Sequence, residues 1–157
     1  MQNIERAIAT SQALAEVLQE EVARARSQRE LIQNFDSQAL LDRATERESF
    51  NRIVNELQLE LATHLRAVGA EFGLEAVTVD SLAQVASEPA GRLVSSLANI
   101  RAEASTLKEL DTLNRQLAQR ANAMVRGYLA ALTGNSATYN QRGETRPHTG
   151  STYSGRA

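Results

Sequence analysis

Residues 1–68 contain neither glycine nor proline, the two residues that most often interrupt a helix. Over residues 2–35 the apolar side chains recur at steps that mostly fit one face of a helix. They are Ile4, Ile8, Leu14, Leu18, Val22, Ala25, Ile32 and Phe35. A second face follows over Ser37–Phe72, and from Phe50 onward its apolar residues alternate at steps of four and three. This pattern predicts long amphipathic helices that pack as in a coiled coil.

Two short segments punctuate this helical pattern. Residues 33–37 interrupt the first face, and Asp36 or Ser37 is a suitable N-cap for the helix that follows. The interruption predicts either a tight turn or a slight break in one continuous helix, and the sequence leaves both open. Gly73 lies where a left-handed C-cap would end the second helix after Phe72.

A connector of residues 73–91 leads to a third long helix. Within the connector we predict a short helix from Asp80 to Ala86, and the third long helix then runs from Pro89 to Thr133, with proline in a tolerated first-turn position. The apolar seam of this helix includes the polar residues Asp111 and Asn114. A polar residue in a seam either fixes the helix register or faces a partner helix.

The second half of the third helix carries an apolar arc that is wider than one packing partner needs. Its members are Leu107, Leu110, Leu113, Leu117, Met124, Val125 and Leu129. Two explanations stay open. The helix is buried between two others, or the arc receives an incoming amphipathic helix through anchors at i, i+3 and i+4. Methionine is the adaptable side chain that such binding surfaces favour.

Residues 134–157 differ from the rest of the chain. They follow the helix-ending pair Gly134–Asn135, carry three arginines against one glutamate, and contain the pattern T-Y-x-x-R twice, at Tyr139 and Tyr153. So few apolar residues cannot offset the entropy lost on ordering the segment. We predict a helical domain of residues 1–133 and a flexible tail of residues 134–157. The fold class is all-α: a long antiparallel, coiled-coil-like bundle of about three long helices plus one short helix.

Residues suited to catalysis or ligand binding are sparse. Cysteine is absent, no glycine-rich phosphate loop occurs, and His64 is accompanied only by Glu60, a spacing typical of a surface ion pair. The adjacent carboxylates Glu20 and Glu21 are interpreted as a solvated face with i,i+4 arginine partners. We predict no catalytic residues, no metal site and no cofactor, and therefore not an enzyme.

Charge and hydropathy bear on the partners. The arginines of the helical part alternate with acidic residues and no basic stripe with stacking aromatics occurs, which predicts no nucleic-acid binding. No apolar run is long enough to cross a bilayer, and the acidic N-terminal segment is unlike a signal peptide. These features predict a cytoplasmic protein without membrane insertion.

Three features together resemble a known family. A long helix pair precedes Gly73-Leu74 and a short helix, and a third helix then carries LKELDTLNRQLAQRANAMVRGYLAALTG and runs into ATYNQRG. The combination is similar to the FlgN family of flagellar type III export chaperones, in which an asparagine-bearing helix precedes a TY-x-x-x-G tail. The resemblance covers nearly the whole chain, and residues 114–143 are its more specific part.

The resemblance implies a cytoplasmic chaperone that binds the C-terminal amphipathic segments of the hook–filament junction proteins FlgK and FlgL without using ATP. It implies a client-binding region within residues 107–132, and it implies that Tyr139 docks on the export-gate protein FlhA. Tyr153 is either a second copy of that anchor or a coincidence. The client-binding residues predicted from the arc and the seam are Leu107, Leu110, Leu113, Asn114, Leu117, Met124, Val125 and Leu129.

Two matters stay open at this point. The spare apolar surface suits either a client or self-association, so the sequence does not distinguish a monomer from a homodimer. The competing hypothesis is a structural coiled-coil scaffold or oligomerisation protein. That hypothesis explains the helical seams equally well but gives no account of the tail.

Overall fold

The computed structural model describes residues 2–85 and 87–132. Helix accounts for 91% of this part of the chain, which contains no strand. The helices are α1 (Gln2–Gln33), α2 (Ser37–Phe72), α3 (Val79–Ala83) and α4 (Glu88–Leu132). The predicted all-α fold with three long helices and one short helix is confirmed. The predicted tail, residues 134–157, lies outside the described residues.

A tight turn separates α1 from α2, so the helices are not continuous around Asp36. Phe35 has a φ of 53°, a left-handed conformation that bulky residues seldom adopt. The backbone N–H of Asp36 donates to the carbonyl of Leu31 at 3.0 Å, which closes the end of α1. The Asp36 side chain then accepts from the backbone N–H of Ala39 at 3.0 Å and caps α2.

Asp36→Ala is expected to lower the free energy of unfolding by about 1 kcal/mol, because the Ala39 N–H at the start of α2 loses its acceptor. Asp36→Asn is the matched control, since asparagine caps helices about as well as aspartate. Urea denaturation followed by circular dichroism measures both. An asparagine variant as unstable as the alanine variant would show that the cap is not the cause.

α1 and α2 form an antiparallel hairpin. Hydrogen bonds between their side chains join the start of α1 to the end of α2 and the later part of α1 to the earlier part of α2. The two helices therefore run in opposite directions. These bonds join Asn3 to Glu71 at 3.2 Å, Thr10 to Glu60 at 3.3 Å and Glu21 to Arg47 at 2.7 Å.

Local backbone and side-chain interactions end α2 and begin α3 in the connector, residues 73–91. Gly73 ends α2 in the left-handed conformation, with a φ of 66°, as predicted. Thr78 caps α3, and the side chains of Thr78 and Ser81 each accept a hydrogen bond from the backbone N–H of the other. Because this capping box starts at Thr78, α3 begins at Val79 and not at the predicted Asp80. It ends at Ala83, before the predicted end at Ala86.

Residues 88–117 of α4 run parallel to α1 and antiparallel to α2. Arg92 donates to Glu5 at 2.5 Å and Asn114 donates to Ala25 at 2.7 Å, so the partners advance together along α4 and α1. α1 supplies half of the buried apolar cluster, which makes it the central helix. The cluster comprises Ile4, Ala7, Ile8, Leu14, Leu18, Val22, Ala25, Phe50, Leu61, Val68, Leu82, Ala90, Leu93 and Leu107.

The chain divides into two compact units, Met1–Leu117 and Ala118–Ala157. The contacts above all lie in the first unit. Of the second unit the structure describes residues 118–132, the end of α4. The predicted division at residue 133 stays a prediction. None of the helices in the described ranges combines the length and hydropathy that a membrane crossing requires.

Candidate functional site

A cluster of charged side chains joins the three long helices within the first unit. It consists of Glu21 from α1, Arg43 and Arg47 from α2 and Asp111 from α4, and we call it the charge cluster. Glu21 is 0% exposed, and its Oε1 accepts hydrogen bonds from Arg43 and, at 2.7 Å, from Arg47. The interpretation of Glu21 as part of a solvated face was therefore wrong, because the helix pairing buries this position.

Arg47 links the two carboxylates of the cluster. Its guanidinium donates to both oxygens of Asp111, at 3.2 Å and 2.6 Å, and it lies over the Phe50 ring with 5.0 Å to the centroid. Burial lowers the pKa of Arg47, but hydrogen bonds and charge attraction from Asp111 and Glu21 outweigh burial and raise that pKa above its ordinary value. The cationic form of Arg47 therefore suits this position.

Asn114 adds a neutral polar contact one turn after Asp111. It is 7% exposed, and its Nδ2 donates to the backbone carbonyl of Ala25 in α1 at 2.7 Å. Asp111 and Asn114 thus contact helices of the same chain, in the manner expected of residues that fix a register. The predicted role of Asn114 in client binding is a separate matter and stays a prediction.

The structure separates the predicted arc residues of the first unit into two groups. Leu107 belongs to the buried cluster and Leu110 is partly buried against it. Leu117 is also partly buried, whereas Leu113 is 58% exposed. Leu113 is therefore the member of this group that a partner reaches without any rearrangement. Client binding by these four leucines stays a prediction.

Residues 118–132, considered alone, present an apolar strip to solvent. Met124 is 57% exposed and Tyr128 is 64% exposed, and Val125, Leu129 and Leu132 are exposed as well. These five residues lie on one side of a helix because they are spaced at i, i+1, i+4, i+5 and i+8. We call them the strip. The predicted client-binding residues do not include Tyr128 and Leu132, although both continue the alternating spacing of the apolar seam of this helix.

The remaining candidates offer no further chemistry among the described residues. His64 Nε2 lies 3.3 Å from Glu60 Oε1, as the spacing predicted. Residues 2–85 and 87–132 contain no group of three or more His, Cys, Asp or Glu that could hold a metal. Tyr139 and Tyr153, the predicted docking residue and its duplicate, lie outside the described residues.

A polar groove of about 1140 Å³ lies between α1 and α4 in the first unit. It is lined mainly by small or polar side chains, which include Gln12, Glu16, Gln19, Gly91, Ser95 and Asn99. Ligand pockets are usually lined by large apolar and aromatic side chains, so this groove does not resemble one. No motif in the sequence marked it.

Comparison with known protein families agrees with the resemblance found in the sequence. A family model described as FlgN protein matches residues 1–147, a range that includes all four helices and Tyr139. A search of curated proteins found no match, and a search of solved structures likewise found none. The family match extends over nearly the whole chain and confirms the resemblance carried by the helix-to-tail junction. The chain therefore belongs to the FlgN family of flagellar export chaperones.

Proposed function

We propose that this chain is a cytoplasmic export chaperone that binds the C-terminal amphipathic segments of FlgK and FlgL. It keeps these segments from associating prematurely and delivers them to the export gate. It acts by binding alone, without a cofactor and not as an enzyme. Membership of the FlgN family supports the chaperone role, and the exposed strip on residues 118–132 is the observation that carries client binding.

The strip has the chemistry that an amphipathic client helix requires. Residues 118–132 bury almost none of their side chains, although they continue a helix of 45 residues. An incoming helix would cover the strip and gain about 1.5–3 kcal/mol for each large apolar side chain buried, before ordering costs. A micromolar complex needs about 8 kcal/mol net, so several such anchors from both partners must together also exceed the cost of association.

The composition of the strip suits more than one client. Met124 adapts its shape to different partners, and Tyr128 combines a rigid apolar ring with a polar tip. FlgK and FlgL would present different side chains in the same helical spacing, and a surface of this kind accommodates both. Leu113, exposed in the first unit, is a further predicted anchor.

Delivery would use Tyr139, which we propose docks on FlhA. The support comes from the sequence, since an aromatic side chain in a segment with few apolar residues is a compact anchor for a partner surface. A segment that orders only on binding gives weak and reversible attachment. Release at the gate requires that property.

Calorimetric titration with peptides that span the C-terminal amphipathic segments of FlgK and FlgL tests the proposal. The full chain and a chain truncated after Gly134 are both expected to bind with micromolar or lower Kd, because client capture is assigned to the helical part. Failure of both proteins to bind either peptide would overturn the chaperone assignment to these clients.

The competing function is an oligomeric scaffold, and the exposed strip is consistent with it as well. The strip would also fit a second copy of the same helix, so a homodimer is the alternative occupant. Light scattering coupled to size exclusion distinguishes the two. A scaffold keeps one oligomeric state when client peptide is added, whereas a chaperone that uses the strip changes its molar mass or forms a mixed complex.

A further inference from the structure

The polar groove between α1 and α4 contains a hydroxyl group without a partner. Ser96 lines the groove and is only 7% exposed, yet its hydroxyl has no hydrogen-bond partner among the described residues. The adjacent Ser95 differs, since its hydroxyl donates to the carbonyl of Gly91 at 3.1 Å. Polar side chains as buried as Ser96 usually have a partner. Its hydroxyl therefore indicates that another group binds in the groove.

Two carboxylates line the groove at the same level without a cation between them. The hydrogen bonds that join α4 to α1 connect residues whose numbers differ by 87 and 89. In this register Glu16 of α1 lies level with Glu103 of α4, and neither has an ion pair within the described residues. Arg92, which also lines the groove, already pairs with Glu5 and Glu88. The groove therefore carries negative charge that the described residues do not neutralise.

Small side chains leave room for a helix in the groove. Gly91, Ser95 and Ala102 of α4 and Ala15 of α1 belong to its lining. Helices approach each other closely where the side chains at the contact are small. The lining residues of α4 extend over residues 88–103, which is about 22 Å at 1.5 Å per residue. The groove is therefore long enough for about four turns of a helix that supplies cations.

The later part of α4 carries the opposite charge. Residues 112–132 contain three arginines and neither aspartate nor glutamate. Arg115, Gln119, Asn122 and Arg126 are exposed, and their spacing at i, i+4, i+7 and i+11 places them on one side of the helix. We call these four residues the basic face. Guanidinium and amide groups donate hydrogen bonds, which are what carboxylate and hydroxyl oxygens accept.

We propose that two copies of this chain associate, with the basic face of one copy seated in the α1–α4 groove of the other. One arginine of the face lies between Glu16 and Glu103 and neutralises both. The second arginine, about 16 Å further along the helix, reaches toward the other end of the groove. The hydroxyl of Ser96 gains a donor from an amide or guanidinium group.

This association leaves the strip available. The basic face and the strip are separated by about a third of a turn around the helix, so a copy that binds through the basic face still presents Met124 and Tyr128 to a client. Self-association through the groove therefore does not depend on the proposed function and does not compete with it.

Sedimentation equilibrium of the full chain and of two charge-reversed variants tests the contact. Arg115→Glu with Arg126→Glu makes the basic face acidic, and Glu16→Arg with Glu103→Arg makes the groove basic. Each variant alone is expected to self-associate at least about tenfold more weakly than the wild type, because like charges then meet. An equimolar mixture of the two is expected to associate within about threefold of the wild type, because opposite charges meet again in both contacts.

Two further variants are the controls. Glu30→Arg with Glu48→Arg makes the same change of charge at exposed positions outside the groove, and Met124→Gln with Tyr128→Gln removes apolar surface from the strip. Both are expected to change self-association less than about threefold. A monomeric wild type, or a mixture of the reversed variants that associates no better than each alone, would overturn the proposal. Loss of association in the strip variant would also overturn it and would assign the contact to the strip.

Titration with the FlgK and FlgL peptides separates this inference from the proposed function. Glu16→Arg with Glu103→Arg is expected to bind both peptides within about threefold of the wild type, because the client is assigned to the strip. A tenfold loss of peptide binding in this variant would assign the groove to the client and overturn the proposed contact between copies. Absence of peptide binding by a wild type that self-associates would overturn the proposed function alone.

Discussion

Glu21→Ala is expected to lower the free energy of unfolding by about 3 kcal/mol, because it leaves the buried guanidinium of Arg43 with only its longer hydrogen bond to Glu46, at 3.5 Å. Arg47 also loses one of its two carboxylate partners. Denaturation with urea, followed by circular dichroism at 222 nm (a standard helix signal), measures the loss. The effect should change little with salt, since buried pairs are screened much less than exposed ones.

The neighbouring glutamate supplies a matched control. Glu20 is exposed and pairs with Arg24 on the same helix at 3.1 Å, so Glu20→Ala is expected to cost less than about 0.5 kcal/mol. The two variants remove the same side chain from adjacent positions. Equal effects would show that the charge cluster contributes no more than a surface ion pair.

A double replacement tests whether the loss of stability in Glu21→Ala comes from the buried charge of Arg43, which has lost its nearer partner. Glu21→Met combined with Arg43→Leu removes both partners and fills the space with apolar side chains. It is expected to be less destabilising than Glu21→Ala, because apolar replacements of a buried pair are often neutral or stabilising. A double variant less stable than Glu21→Ala would mean that the pair itself, and not the avoidance of a stranded charge, stabilises the bundle.

Met124→Asp combined with Tyr128→Asp is expected to weaken binding of the FlgK and FlgL peptides by at least about 100-fold. Each substitution places a carboxylate where an apolar client surface would have to cover it, and burial of an unpaired charge is costly. The helix content of the unbound protein should be unchanged, since both side chains are mostly exposed. Calorimetric titration and circular dichroism measure the two quantities.

The control for this variant lies on the opposite side of the same helix. Gln119→Asp with Ala123→Asp introduces the same charge at the same i,i+4 spacing, at exposed positions away from the strip. This pair is expected to change client affinity less than about threefold. Equal loss of binding in both variants would indicate a general charge effect and remove the strip from the proposed site. Loss of helix content in the first variant would show that Met124 and Tyr128 stabilise the protein's own fold.

Much of the fold followed from local chemistry. The bounds of α2 and its C-cap at Gly73 were predicted correctly, because helix ends depend on a few residues close together in the chain. The N-cap, Asp36, is one of the two candidates that the sequence offered. α3 was misplaced because the reciprocal bonds of Thr78 and Ser81 were not recognised as a capping box. The family was predicted from the junction between the third helix and the tail, and the match over residues 1–147 confirmed it.

The candidate site was only partly accessible from the sequence. The apolar arc from Leu107 to Leu129 suited either a binding surface or a helix buried between two others. Periodicity alone could not say whether a partner helix of the same chain already covers it. The sequence did contain a signal for the burial of Glu21. Leu14, Leu18, Glu21 and Ala25 follow the 4-3-4 steps of a seam, which places this glutamate on the inner side of α1.

By itself the sequence determined the three long helices, the class of fold and the family, because these depend on residues that are neighbours along the chain. The tertiary structure alone decided which polar side chains meet. Glu21 is buried, Arg47 reaches Asp111 and Asn114 reaches Ala25 only because three helices align at one register. That alignment is set by packing between segments distant in the chain, and one helical period is compatible with many registers.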